Sequence, residues 1–166
     1  MKKNKVIFLC TGNICRSPIG EAMLKHAIKA LPAESPLKSL EICSAGTSTL
    51  DGMPASGNSI DALKKVGIDI VDHKSRQITA AMLKECFLLL CMEESHLFSV
   101  KSRFGDDVPN RAMTLKQLNP NAQDTDIPDP FGGDYQEYEE VRDEIAACIP
   151  YILKYLESEM ANESNK

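Results

Sequence analysis

The 166-residue sequence is short of several features that mark common functional classes. It has three histidines, His26, His73 and His96, far apart in the chain. Its six cysteines form no Cys-x-x-Cys pair, so no metal site is predicted and no cofactor is implied. Long hydrophobic runs are missing. Residues 6–9 follow a basic start but are too few for a signal-peptide core, and 86–92 are too few to span a membrane. The expected location is therefore cytoplasmic and off the membrane, with the cysteines as reduced thiols rather than a disulfide framework. A basic excess is missing too. Nineteen Lys and Arg stand against 24 Asp and Glu, for a net charge of -5. That argues against nucleic acid as a partner and requires any anionic ligand to have a local site.

No repeat or low-complexity segment breaks the chain. With 43% hydrophobic and 26% charged residues, its length suits one domain with a real core, over 1–159, and a frayed tail at 160–166. Residues 6–10 read as a buried strand, a short apolar run rich in β-formers. Ser17 reads as an N-cap and Pro18 as the first residue of a helix reaching about Leu31. Further strands are expected at 40–44 and 87–92, with a weak one at 111–114. Helices are expected at 55–66, 79–85, 94–100 and 135–159, and a long Asp/Pro/Gly loop at 119–134. Strands alternating with helices imply a parallel sheet covered on both faces, with functional loops at the strands' carboxyl ends. Cys10, Ser44 and Met92 all fall at such ends.

The loop Cys10-Thr11-Gly12-Asn13-Ile14-Cys15-Arg16 joins the first strand to the first helix. Strand, tight loop and helix start turn backbone N–H groups of residues 11–16 toward one point and form an anion cradle. Gly12 can take positive φ, and Asn13 tolerates the left-handed region better than most residues. Arg16 adds a planar fork matched to two oxygens of a tetrahedral oxyanion. The same field is expected to lower the Cys10 pKa and give a thiolate, the nucleophilic form. Ser17 can donate to the sulfur and help it leave. The implied chemistry is in-line attack on phosphorus, a cysteinyl-phosphate, then hydrolysis. A buried turn whose Cys packs as a small hydrophobe shows the same Cys–Arg spacing; the strand before it, Gly-Asn within it and Ser-Pro after it favour the cradle.

The leaving group needs a proton. Asp129, in Ile127-Pro128-Asp129-Pro130-Phe131-Gly132-Gly133, precedes a proline and is held extended, so its side chain projects. Beside a thiolate and a phosphate dianion its carboxyl is expected to titrate high and serve as general acid, then as base for water. Asp-Pro is also a common turn dipeptide, and Asp124, Asp126 and Asp134 compete for the role.

These stretches resemble the low-molecular-weight protein tyrosine phosphatases over nearly the whole chain. The residues that carry the resemblance are VIFLCTGNICRSP at 6–18, Cys43-Ser44-Ala45-Gly46-Thr47, His73-Lys74-Ser75-Arg76-Gln77-Ile78, Leu89-Leu90-Cys91-Met92-Glu93-Glu94-Ser95, and Asp129-Pro130. The resemblance implies a three-layer α/β sandwich with a four-stranded parallel sheet and a phosphate-binding loop after the first strand. It implies Cys10 as nucleophile, Arg16 as phosphate clamp, Ser17 as thiolate partner and Asp129 as general acid. It also implies that Asn13 holds the loop through side-chain hydrogen bonds, supported by Ser44 and His73. Cys15 resembles the family's second loop cysteine, which can pair with Cys10 on oxidation and protect it. Glu93 stands where the family commonly has aspartate, and no site role is assigned to it.

Ile14 is expected at the pocket mouth, where an aliphatic side chain packs on an aromatic ring. Relatives acting on phosphoarginine carry threonine there, so Ile14 favours a phosphotyrosine-containing protein substrate. Phe131 is expected as a second wall able to stack on that ring, and it has no hydroxyl to phosphorylate. Asp-Pro-Phe-Gly-Gly also occurs among arginine-phosphatase relatives, which keeps that alternative open. A thioredoxin-coupled arsenate reductase needs two relay cysteines on a mobile segment, whereas Cys86 and Cys91 flank a buried strand. A monomer or weak dimer is expected.

Overall fold

The computed structural model describes residues 3–165. Four strands form one sheet: β1 (Lys5–Cys10), β2 (Glu41–Gly46), β3 (Cys86–Cys91) and β4 (Ala112–Thr114). All pairings are parallel, in the order β2-β1-β3-β4. Five helices cover the sheet: α1 (Arg16–Lys29), α2 (Gly57–Lys64), α3 (Ala80–Lys84), α4 (Glu94–Phe104) and α5 (Tyr135–Ser164).

Side chains alternate across the sheet and split the core in two. Val6, Phe8 and Leu88 pack under α1 and α5, against Ile19, Leu24, Ile145 and Ile152. Ile7, Leu9 and Leu89 face α3 and α4, against Leu83 and Val100. The result is the three-layer α/β architecture implied by the motifs. β3 is buried at every position, so its run of leucines reads as a continuous apolar stretch. Each fully buried leucine contributes roughly 1.5–3 kcal/mol of transfer free energy.

The contact between α1 and β1 is close. A Cβ on Gly20 would lie 2.4 Å from Cδ1 of Phe8, so only glycine lets the helix sit this near the strand.

Several element ends differ from the sequence reading: α4 runs on past Val100 to Phe104, α2 is shorter than 55–66, and two ends bear on the site and the tail. α1 starts at Arg16, with Cys15 at the cap position and no side-chain cap; Ser17 is not the N-cap because its hydroxyl is turned inward to the Cys10 sulfur. α5 runs on to Ser164 where a frayed tail was expected from residue 160. Arg111 ties that last stretch down, pairing with Glu159 at 2.6 Å and Glu163 at 2.9 Å. Among the described residues no helix is long and apolar enough to cross a membrane.

Candidate active site

β1 lies in the middle of the sheet, and its register sets Cys10 opposite Gly46. Thr47 N–H donates to the Cys10 carbonyl and Ser48 N–H to that of Thr11. This approach leaves no room for a side chain at 46: a Cβ there would lie 2.5 Å from the Thr11 carbonyl oxygen. The loop then turns back into α1 through Asn13, the one non-glycine residue with positive φ (55°) among those described. The left-handed residue is thus Asn13 and not Gly12.

Hydrogen bonds hold Asn13 on every polar atom. Its Nδ2 donates to Ser17 Oγ (2.8 Å) and Ser44 Oγ (2.9 Å), and its Oδ1 accepts from Arg76 N–H (2.9 Å). Its carbonyl oxygen lies 2.7 Å from His73 Nε2, and its N–H donates to Cys10 Sγ at 3.2 Å. The directions propagate. Ser44 spends its hydrogen on the Glu21 carboxylate at 2.5 Å, so it can only accept from Asn13. Ser17 also accepts from Asn13, which frees its own hydrogen for Cys10 Sγ at 3.0 Å, closer than the Ala45 carbonyl at 3.4 Å. A chain of fixed polarity therefore runs from Glu21 to the sulfur.

Cys10 is 3% exposed. Burial pushes its thiol up from the ordinary value; the Ser17 hydroxyl, the Arg16 charge and the Asn13 N–H oppose it. The sequence reading expected this pKa to be lowered; the direction is the opposite, because burial of the sulfur outweighs these donors. Among the described residues no protein group accepts from the N–H groups of Gly12, Ile14 and Cys15, which remain free to stabilise negative charge in the loop.

Arg16 is 2% exposed, and its orientation is fixed from behind. Nη1 donates to Glu93 Oε1 at 2.6 Å and to the Ile127 carbonyl at 2.9 Å, which uses both of its hydrogens. The edge formed by Nε and Nη2 is left to bind two oxygens of an oxyanion. Nη2 also lies 3.6 Å from Asp129 Oδ2. Partial burial pushes the Glu93 carboxyl up, but the Arg16 hydrogen bond and charge, with Ser95 and His96, hold it below its ordinary value.

Glu93 had no role in the sequence reading and His96 was passed over; both touch the loop apparatus. Glu93 N–H donates to His96 Nδ1 at 3.1 Å, so Nε2 carries the ring proton and donates to Thr11 Oγ1 at 2.9 Å. Burial, then the Arg16 charge, push the His96 pKa down against the pull of Glu93, Asp126 and Asp129. The available signal was the position of both residues just past the carboxyl end of β3, where Glu93 caps α4. Glu21 and Arg76 were also missed as supports, since nothing in their spacing marks them.

A cavity of about 300 Å³ opens over the loop. Cys10, Thr11, Gly12, Ile14, Cys15 and Arg16 line one side, and Asp129 and Phe131 the other. Asn13, Ser17 and Ser44 are fully buried behind it. Asp129 is half exposed, and its Oδ1 accepts from Phe131 N–H at 3.1 Å, which fixes the turn that carries both. Phe131 is 71% exposed and stands at the rim. Cys15 is a free thiol within 3.4 Å of Tyr138 Oη and 3.5 Å of Ser56 Oγ. Cys86 and Cys91 lie wholly buried in β3, and burial pushes the Cys86 thiol up to about 12.

Fold and site together define an α/β protein whose first strand ends on a buried cysteine sulfur, ringed by a loop of free N–H groups and the open edge of an arginine. The chain belongs to the low molecular weight phosphotyrosine protein phosphatase family, whose model matches residues 5–162. It is 34% identical over 155 residues to a protein-arginine-phosphatase of Geobacillus stearothermophilus, covering 93% of this chain and 97% of the relative. It is 33% identical over 141 residues to the low molecular weight protein-tyrosine-phosphatase Etp of Escherichia coli, covering 85% and 86%. Among solved structures, a low molecular weight protein tyrosine phosphatase from T. tengcongensis matches with TM-score 0.81 at 33% identity, covering 91% of this chain and 98% of that one.

Proposed function

We propose that the protein is a cysteine-dependent protein tyrosine phosphatase. One observation carries the reading. A single cavity holds the Cys10 sulfur, the free edge of Arg16 and the Asp129 carboxylate, with the aliphatic Ile14 on its wall. In this reading the N–H groups of Gly12, Ile14 and Cys15 and the Arg16 guanidinium bind the phosphate oxygens; the Cys10 thiol passes its proton to the Asp129 carboxylate across the cavity, and the thiolate attacks phosphorus in line. As the bond to the phenolic oxygen breaks, Asp129 gives that oxygen its proton. The Asp129 carboxylate then takes a proton from water, whose oxygen attacks the cysteinyl-phosphate. Sulfur departs as thiolate, held by the Ser17 hydroxyl and Asn13 N–H. Ser44 and His73 keep Asn13 in its left-handed conformation throughout. Cys15 is the thiol that would capture an oxidised Cys10. Six free thiols suit the reducing cytoplasm.

A second reading, hydrolysis of phosphoarginine, is favoured by the arginine-phosphatase relative and by Phe131-Gly132-Gly133. Ile14 argues against it, since it offers a guanidinium no hydrogen bond. Turnover measured side by side on a phosphotyrosine and a phosphoarginine peptide, with chelator present, separates the two. We expect strong preference for phosphotyrosine. Preference for phosphoarginine would overturn the substrate and leave the cysteine mechanism standing.

A further inference from the structure

A second cavity, of about 680 Å³, lies behind the phosphate loop, between the outer face of α1 and residues 67–76. It is more than twice the volume of the cavity in front. Its lining is mixed in a particular way. Ala22, Ile68 and Val71 give it an apolar part, and Val71 is 59% exposed at the rim. Lys25, Lys29, Lys74 and Arg76 supply positive charge. Lys25 is paired with Glu21 at 2.5 Å, but among the described residues Lys29, Lys74 and Arg76 form no ion pair. Of the acids that line the cavity, Glu21 is committed to Lys25 and Ser44, and Asp69 accepts from Val71 N–H. Asp69 and Asp72 keep their charges against Lys29, Lys74 and Arg76, so the cations of the lining outnumber its acids by four to three. On a chain of net charge -5 this is a local concentration of positive charge, not a background field.

The same lining holds the catalytic loop. His73 Nε2 and the Arg76 backbone N–H bond Asn13 directly, and Glu21 reaches it through Ser44. We propose that this rear cavity is a regulatory site for an anion of nucleotide size, carrying two or more negative charges on an apolar body, whose binding acts on the phosphate loop through Asn13. Free phosphate engages the cations but leaves the apolar part uncovered.

The test is calorimetric titration of the whole protein with adenosine triphosphate, without metal, in saturating inorganic phosphate that occupies the front cavity. We expect one site with a dissociation constant below about 1 mM. Binding should weaken at least about tenfold in Lys29→Gln/Arg76→Gln, whose charges do not touch the front cavity, and weaken with added salt. Lys29→Gln/Lys74→Gln, at two exposed positions, serves if the first pair fails to fold. Saturation should also change kcat on an aryl phosphate by about fivefold or more in the parent chain and not in the variant. No binding beyond the phosphate-blocked site, or equal binding by the variants, overturns the site. Binding with turnover unchanged overturns the coupling. The binding arm needs no turnover, so it stands or falls independently of the phosphatase reading.

Discussion

Replacing Cys10 by serine keeps the cradle and removes the sulfur. Cys10→Ser should bind an aryl phosphate and fail to turn it over, and hydrolysis at an undiminished rate would refute the cysteinyl-phosphate. Asp129→Asn tests proton delivery. It should slow poor leaving groups far more than an activated aryl phosphate, and equal losses would remove Asp129 as general acid. Glu93→Gln tests the anchoring of Arg16. Charge-assisted hydrogen bonds contribute roughly 1.5–3 kcal/mol, so kcat/KM should fall by roughly tenfold or more. An unchanged value would mean the Ile127 carbonyl fixes the guanidinium alone. Cys10 and Arg16 stood out in the sequence as the two ends of one strand–loop–helix pattern, whereas Asp129 was one of several aspartates in its loop, marked only by its place before Pro130. Glu93 did not stand out, because its use comes from Arg16, 77 residues away in sequence.

At the scale of elements, the seating of α1 on β1 decides where Arg16 and Ser17 point. Gly20→Val puts carbon into the Phe8 ring and should destabilise by about 1–3 kcal/mol, read from the denaturant midpoint, with activity falling as α1 shifts. Strand and helix periodicity gave the order of elements, since each amphipathic or apolar run packs on the sheet in the usual way. The element ends were harder to read. Ser17 and Pro18 look like a helix start by local rules, yet the serine hydroxyl is drawn to the sulfur and the helix begins at Arg16. The apolar stripe of α5 thins out after Leu156 to Met160 alone, and the pairing of Glu159 and Glu163 with Arg111, beside β4, helps carry the helix on to Ser164.

Across the whole molecule, the titrating groups of the site make folding sensitive to acid. The His96 pKa is lowered in the folded state from 6.5, so the unfolded chain takes up a proton that the folded one resists. Its contribution is complete above about pH 6.5 and is lost as pH falls below that. Glu93, lowered from 4.5, extends the loss further into acid. Melting temperature should therefore decline on the acid side, and His96→Gln should flatten the decline below about pH 6.5. An unchanged slope would show that His96 is not the group responsible. The sequence by itself determined the parallel α/β fold and the strand–loop–helix turn with Cys10 and Arg16 at its ends, because apolar periodicity and turn chemistry are local; that Asp129 faces them across one cavity came from the tertiary structure. The tertiary structure alone decided which edge of Arg16 is free, which way each hydroxyl points and what stands behind Asn13. Those depend on hydrogen bonds between residues that only the closed sheet brings within 3 Å.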